Sequence, residues 1–181
     1  MKAGRFFIVF LILTVSHICN STESVRQKIQ VKNGLISLLI PPQWHSTKDL
    51  FGVPLTLLGP ETDGARPVIL FTPTGVNNIK FDQTQLKTNQ EEFKKGRENW
   101  LLTKKGKSLQ YFPYQMIHLK NGTDIHQIGY SYQLNNLIFL EYSSFILCDN
   151  QLIHATALLR KNQETKHNDN IKKIIESFEC K

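Results

Sequence analysis

The sequence predicts an α+β domain in which a mainly antiparallel sheet lies between helices, and three observations lead there. First, Ile125 to Leu159 holds three apolar runs joined by two tight turns, Asn135-Asn136 and Asp149-Asn150, the pattern of consecutive hairpins. Second, both faces of those runs are apolar. A sheet with one wet face would alternate cleanly, so this one needs cover on both sides. Third, a helical pattern precedes the meander and another ends the chain.

Two-residue turns fix the register of a hairpin. If Asn121-Gly122 is also such a turn, Ile117 lies opposite His126, His126 opposite Phe145, and Phe145 opposite His154. One face then carries Ile117, Leu119, His126, Ile128, Tyr130, Tyr132, Phe139, Phe145 and Leu158, interrupted by Glu141, Thr156 and Arg160. Met116, Ile125, Leu140, Tyr142, Ile146, Ile153, Ala155, Ala157 and Leu159 form the other.

Residues 1–21 read as a secretory signal peptide, with Lys2 and Arg5 before the apolar run Phe6 to Val15. That run is too short to span a bilayer, which takes about 20 apolar residues. Cys19 follows Ile18 instead of the small residue that lipoprotein signals require, so simple export is expected over lipid anchoring. Residues 22–181 are then one domain, periplasmic or secreted, with no membrane span of its own.

Lys28 to Ile40 reads as a hairpin around Asn33-Gly34, pairing Val31 with Ile36 and Ile29 with Leu38. Pro41-Pro42 ends it, since neither residue can donate to a ladder. Gln43-Trp44 follows at the rim, and His45 to Gly52 reads as a loop. Val53 to Leu58 and Pro67 to Thr72 are the next strands, separated by a turn-rich segment.

A long helix is expected over Asp82 to Lys105, with Asp82 as cap, Gln85 completing a capping box, and a stripe of Leu86, Phe93 and Trp100. Gly106 stops it. In the lead strand from Ser108 to Leu119, Pro113 confines pairing to an edge or bulge. Asn168 or Asp169 is expected to cap a final helix whose Ile171, Ile174, Ile175 and Phe178 share one face.

This order, with Pro41 to Trp44 closing an early strand and Ile174-Ile175-Glu176-Ser177-Phe178 closing the last helix, resembles the Mog1/PsbP-like superfamily and its exported DcrB-like bacterial members. The resemblance covers most of the chain after the leader. It implies an α/β/α sandwich around an antiparallel sheet, in agreement with the two apolar faces. It also implies an interaction protein in preference to an enzyme, but names no ligand or partner, because fold alone does not select function.

The residues support no catalytic constellation. Neither Gly-x-Ser-x-Gly nor His-Glu-x-x-His occurs. Gly106-Lys107-Ser108 lacks the first glycine of a phosphate loop, with Leu101 in its place, and follows a helix instead of opening one. His126 and His154 share a face but are separated by the strand of Phe145, about 9.5 Å at the usual strand spacing, so neither a metal nor another cofactor is expected. The formal charge of +7 falls to about +5 once the leader's Lys2 and Arg5 are removed, and the lysines and arginines are dispersed. Dispersal excludes a nucleic-acid reader of the usual kind.

Four residues are candidates for contact with a ligand or partner. Tyr130 lies opposite Glu141 with Arg160 on the diagonal, a polar cluster in an apolar face. Trp44 is either an exposed contact point at the rim or a plug for the end of the core. Cys148 and Cys180 are the cysteines of the exported domain, and in an oxidising compartment they would bridge. Asn121-Gly122-Thr123 fits a glycosylation sequon, relevant only in a eukaryotic secretory host. The expected function is an exported, non-enzymatic accessory domain that binds another envelope or secreted protein. A small-ligand carrier with a pocket between helix and sheet is the alternative.

Overall fold

A computed structural model describes residues 23–31, 34–77, 83–148 and 151–180. The leader, Cys19, the helix cap at Asp82 and the Asp149-Asn150 turn therefore lie outside the described residues.

The chain runs β1 (Val25–Val31), β2 (Gly34–Ile40), β3 (His45–Leu50), β4 (Val53–Leu58), β5 (Val68–Asn77), α1 (Gln83–Thr103), β6 (Lys107–His118), β7 (Asp124–Leu134), β8 (Leu137–Cys148), β9 (Gln151–Arg160), α2 (Glu164–Glu176) and β10 (Glu179–Cys180). A short 3-10 turn, Lys161–Gln163, leads into α2. Seven strands form the main sheet in the order β3-β4-β5-β9-β8-β7-β6, and a small sheet has the order β1-β2-β10. Every pairing is antiparallel.

The centre of the meander has the expected register: His126 faces Phe145, and Phe145 faces His154. Asn135 and Asn136 both take left-handed conformations, φ 49° and 64°, as a tight primed turn requires. The first hairpin departs by one residue. Ile117 pairs with Ile125 and Met116 with His126. The cause is a three-residue loop: the Leu119 N–H donates to the Thr123 carbonyl, the Gly122 N–H donates to the Leu119 carbonyl, and Gly122 has φ 83°. A one-residue slip turns each side chain over, so Ile117 and Leu119 face α2 and Met116 faces the α1 side.

Three other expectations are corrected. His45–Leu50 is not a loop but the edge strand β3, paired with β4. In the β1–β2 hairpin Val31 pairs with Gly34 and Ile29 with Ile36. Each partner is displaced by two residues from the expected register, which preserves the faces. The last helix begins at Glu164, several residues before Asn168.

The two faces carry separate cores. On the α2 side Leu55, Leu57, Ile69, Phe71, Ile125, Leu140, Ile146 and Ile153 pack with Ile171, Ile174, Ile175 and Phe178, and β2 adds Ile36, Leu38 and Ile40. On the α1 side Leu101 packs with Tyr130 and Tyr132, backed by Phe93, Tyr111, Leu134, Phe139 and Leu158. Gly129 shows how tightly the strands are drawn together: a Cβ there would meet the Phe112 ring at 2.8 Å and the Tyr142 ring at 2.9 Å, and those rings stack 5.6 Å apart across it.

Candidate functional site: the polar centre beneath the first helix

Tyr111, Tyr130 and Glu141 stand side by side on three strands, under α1. Aromatic rings tile this face. Tyr111 stacks on Tyr130 at 5.7 Å, Tyr130 on Tyr132 at 5.1 Å, and Tyr132 on Phe139 at 5.3 Å. From α1, Phe93 meets Tyr130 edge-on at 5.9 Å and Trp100 meets Tyr132 likewise at 5.9 Å.

Between Phe93 and Trp100 on the same stripe comes Arg97, and it is Arg97 that answers Glu141. Its Nη2 lies 2.6 Å from Glu141 Oε1. The approach is off the N–H axis, so the contact is an ion pair without a well-aligned hydrogen bond. The Tyr130 hydroxyl donates to Oε2 at 3.1 Å. The guanidinium also sits over the Phe93 and Tyr130 rings, 5.2 and 5.7 Å from their centroids, a favourable cation–π position.

Burial dominates the electrostatics. It raises the Glu141 carboxyl above its ordinary range, against the opposing pull of Arg97 and Tyr130. Burial first, then Glu141, pushes Tyr132 up to about 12 and raises Tyr130 as well. Both phenols therefore stay neutral and offer no proton exchange near neutral pH. His154 is held down to about 4 by burial and then by Arg97; its ring stacks on Phe145 at 4.6 Å. His126 is lowered by burial and its Nδ1 lies 2.6 Å from the Tyr114 hydroxyl. Each histidine is thus engaged by its own neighbour. No group of three metal-ligating side chains occurs among the described residues.

Of the four sequence candidates, Tyr130 and Glu141 are brought together, and Trp44 and Arg160 are not part of the cluster. Arg160 pairs with Phe139, and its side chain turns outward, donating to the Asp63 carbonyl at 3.3 Å. Trp44 is 5% exposed and packs edge-on against His167 at 6.5 Å. It plugs the end of the core and is not a rim contact, because the chain after Pro41-Pro42 turns inward, with the Trp44 N–H donating to the Pro41 carbonyl. Arg97 is the member of the cluster that no sequence motif marks. Its signal was position: four after Phe93 and three before Trp100, on the face turned to a buried acid.

Cys148 and Cys180 are bonded, which ties β10 to the end of β8. Two clefts open on the α2 side. One, about 240 Å³, lies between α2 and the sheet and is lined by Gln115, Gln127, Tyr142, Asn168 and Lys172, among others. The other, about 480 Å³, is a groove walled by Arg26, His118, Lys120 and Glu179, with Ile117, Leu119 and Phe178 also lining it. Asn121 also lines the groove; its Nδ2 donates to the Phe178 carbonyl at 2.9 Å and its Oδ1 accepts the Thr123 N–H at 3.0 Å.

No family model and no curated protein matches the chain. Solved structures do. Cyanobacterial PsbP (CyanoP) from Synechocystis sp. PCC 6803 superposes with a TM-score of 0.63 at 12% identity, over 93% of this chain and 99% of that one. LpqN of Mycobacterium tuberculosis, described as involved in cell envelope biogenesis, gives 0.61 at 15% identity, over 87% and 91%. Identities this low speak for the fold alone, and on that the agreement is nearly end to end: the chain has the PsbP-like fold.

Proposed function

We propose that this protein is an exported, non-enzymatic accessory domain of the cell envelope that acts by binding another protein. The observation that carries the reading is the closure of the polar centre. Glu141, the one buried carboxylate of the cluster, is engaged by Arg97 and Tyr130, and its side chain is 7% exposed. An acid held between two partners under a helix positions α1 on the sheet and presents nothing to a substrate. The Cys148–Cys180 bond fits export to an oxidising compartment, and the envelope role described for LpqN gives the compartment a precedent.

The groove between the β6–β7 loop and the end of α2 is the surface we assign to the partner. Exposed Lys120 and the Arg26–Glu179 ion pair line it beside half-buried Ile117, a mixture suited to a loop or strand of protein. The carrier reading ranks second. The helix–sheet cleft it needs is about 240 Å³, below the roughly 300 Å³ at which pockets for small organic ligands begin.

The test is capture of partners from the native envelope fraction on immobilised protein, with Lys120→Glu and Leu102→Ser as parallel baits. One protein retained by wild type and Leu102→Ser but lost with Lys120→Glu supports both interaction and surface. A folded bait that retains nothing, together with a small molecule co-purifying in native mass spectrometry, would replace this reading with the carrier.

A further inference from the structure

Exposed apolar side chains gather at the end of the domain where α1 stops and β7 turns into β8. Leu102 is 72% exposed; Leu109, Leu137, Ile138 and Trp100 are between 37% and 45% exposed. The backbone brings them to one end of the sheet, with Leu137 on the α1 face and Ile138 on the α2 face. The Gly106 N–H donates to the Leu101 carbonyl, folding the chain back from α1 directly into β6. Lys107 then pairs with Gln133, and Gln133 with Ile138. Leu109 occupies the bulge between Ser108 and Gln110. Leu134 pairs with Leu137 across the Asn135-Asn136 turn, and Trp100 rests on Tyr132.

Cations prevail along the α1–β6 turn, while the acids of the β4–β5 loop at the same end of the sheet are engaged locally, Glu61 by Arg66 and Asp63 by Asn162. Lys104, Lys105 and Lys107 are all exposed. Between Glu98 and Glu141 the chain has a single acid, Asp124, and it lies at the other end of the sheet against His118 Nδ1, 2.6 Å away. Of the nearest acids, Glu98 leans on the Tyr111 hydroxyl and Glu164 is paired with Lys161.

From this arrangement we propose that the α1–β6 turn and the β7–β8 turn form a site that docks the domain, end-on and reversibly, to an anionic lipid surface. Leucines, an isoleucine and a tryptophan enter the headgroup boundary while flanking lysines reach the lipid phosphates. A tryptophan half in water and half on an aromatic layer suits that boundary. A nucleic acid would find the lysines but no free ring to stack on, because Trp100 already meets Tyr132 edge-on. The charge complement selects lipid over a neutral apolar partner. Such docking would place the protein-binding groove, at the opposite end of the strands, facing away from the membrane.

The experiment uses residues 22–181, which hold both hydrophobic cores and lack Cys19, so no lipid anchor contributes. Co-sedimentation is measured with vesicles of phosphatidylcholine alone and with phosphatidylglycerol added. Each lysine near an anionic surface contributes about 1 kcal/mol, so Lys104→Gln, Lys105→Gln and Lys107→Gln together should weaken partitioning into the mixed vesicles on the order of a hundredfold. Leu102→Ser with Leu137→Ser should weaken it with lysines intact. Trp44 is buried, so quenching by brominated acyl chains reads Trp100 and should appear with anionic vesicles alone. Equal binding to both vesicle types, no binding to either, or an undiminished affinity in the folded triple variant would each overturn the proposal. Retention of a protein partner in the envelope capture is read separately, so the two conclusions fail independently.

Discussion

Glu141 is buried and His154 half-buried, both feel the charge of Arg97, and they respond to pH with opposite signs. The folded-state value of His154 is depressed from 6.5 to about 4, so its contribution to stability is present above 6.5 and is lost as pH falls through 4. A difference of about 2.5 units corresponds to about 3 kcal/mol at 1.36 kcal/mol per unit. Glu141 is raised, so its contribution is complete below 4.5 and is lost as pH rises through its elevated folded value. Acid therefore relieves Glu141 while it strains His154. The unfolding free energy of His154→Gln, followed by urea titration across the acid range, should lose most of the decline that wild type shows between pH 6.5 and 4. An unchanged acid limb in the variant would mean that His154 is not held neutral by the fold.

At the scale of elements, the disulfide joins β8 to β10 across a sequence separation of 32, and β10 in turn pairs with β2. Closing a loop of this length stabilises the folded state by about 3 to 4 kcal/mol in the chain-entropy account. Cys148→Ser with Cys180→Ser should lower the denaturation free energy by that amount, with the small sheet losing hydrogen-exchange protection first. Identical midpoints for oxidised and reduced protein would refute the assignment.

That bond was legible in the sequence because Cys148 and Cys180 are the two cysteines that follow the leader-like stretch, and α2 was legible from its isoleucine spacing. Asn121-Gly122 misled for a physical reason. A glycine with positive φ serves two-residue and three-residue loops alike, and the dipeptide does not say which, yet the difference turns Ile117 and Leu119 to the opposite face. Edge strand β3 was read as a loop because His-Ser-Thr-Lys-Asp-Leu has no apolar alternation; one of its sides has no strand to meet. Arg97 was passed over because a cation in a helix stripe looks like a surface residue until the acid beneath it is known.

For the whole molecule, the two covering helices are unequal. α2 inserts His167, Ile171, Ile174 and Ile175 fully, whereas among the described residues of α1 Leu101 alone is buried, with Phe93 and Arg97 partly so. The sheet beneath α1 is consequently held by an ion pair and aromatic edges, while the sheet beneath α2 is held by a close-packed aliphatic layer. Local opening follows the thinner packing, so α1 should unlock as a unit before the sheet and α2 do. Native-state hydrogen exchange should show the amides of α1 protected well below the global unfolding free energy and those of α2, β8 and β9 close to it. Arg97→Ala leaves the Glu141 charge buried without its cation, a loss of about 3 to 5 kcal/mol for a pair of this kind, tempered here because Arg97 is 28% exposed. The substitution should collapse protection in α1 while α2 keeps most of its own. Equal protection of the two helices in wild type, or an equal fall in both on substitution, would mean that the domain opens only as a whole and that the polar centre fastens the sheet instead of the helix.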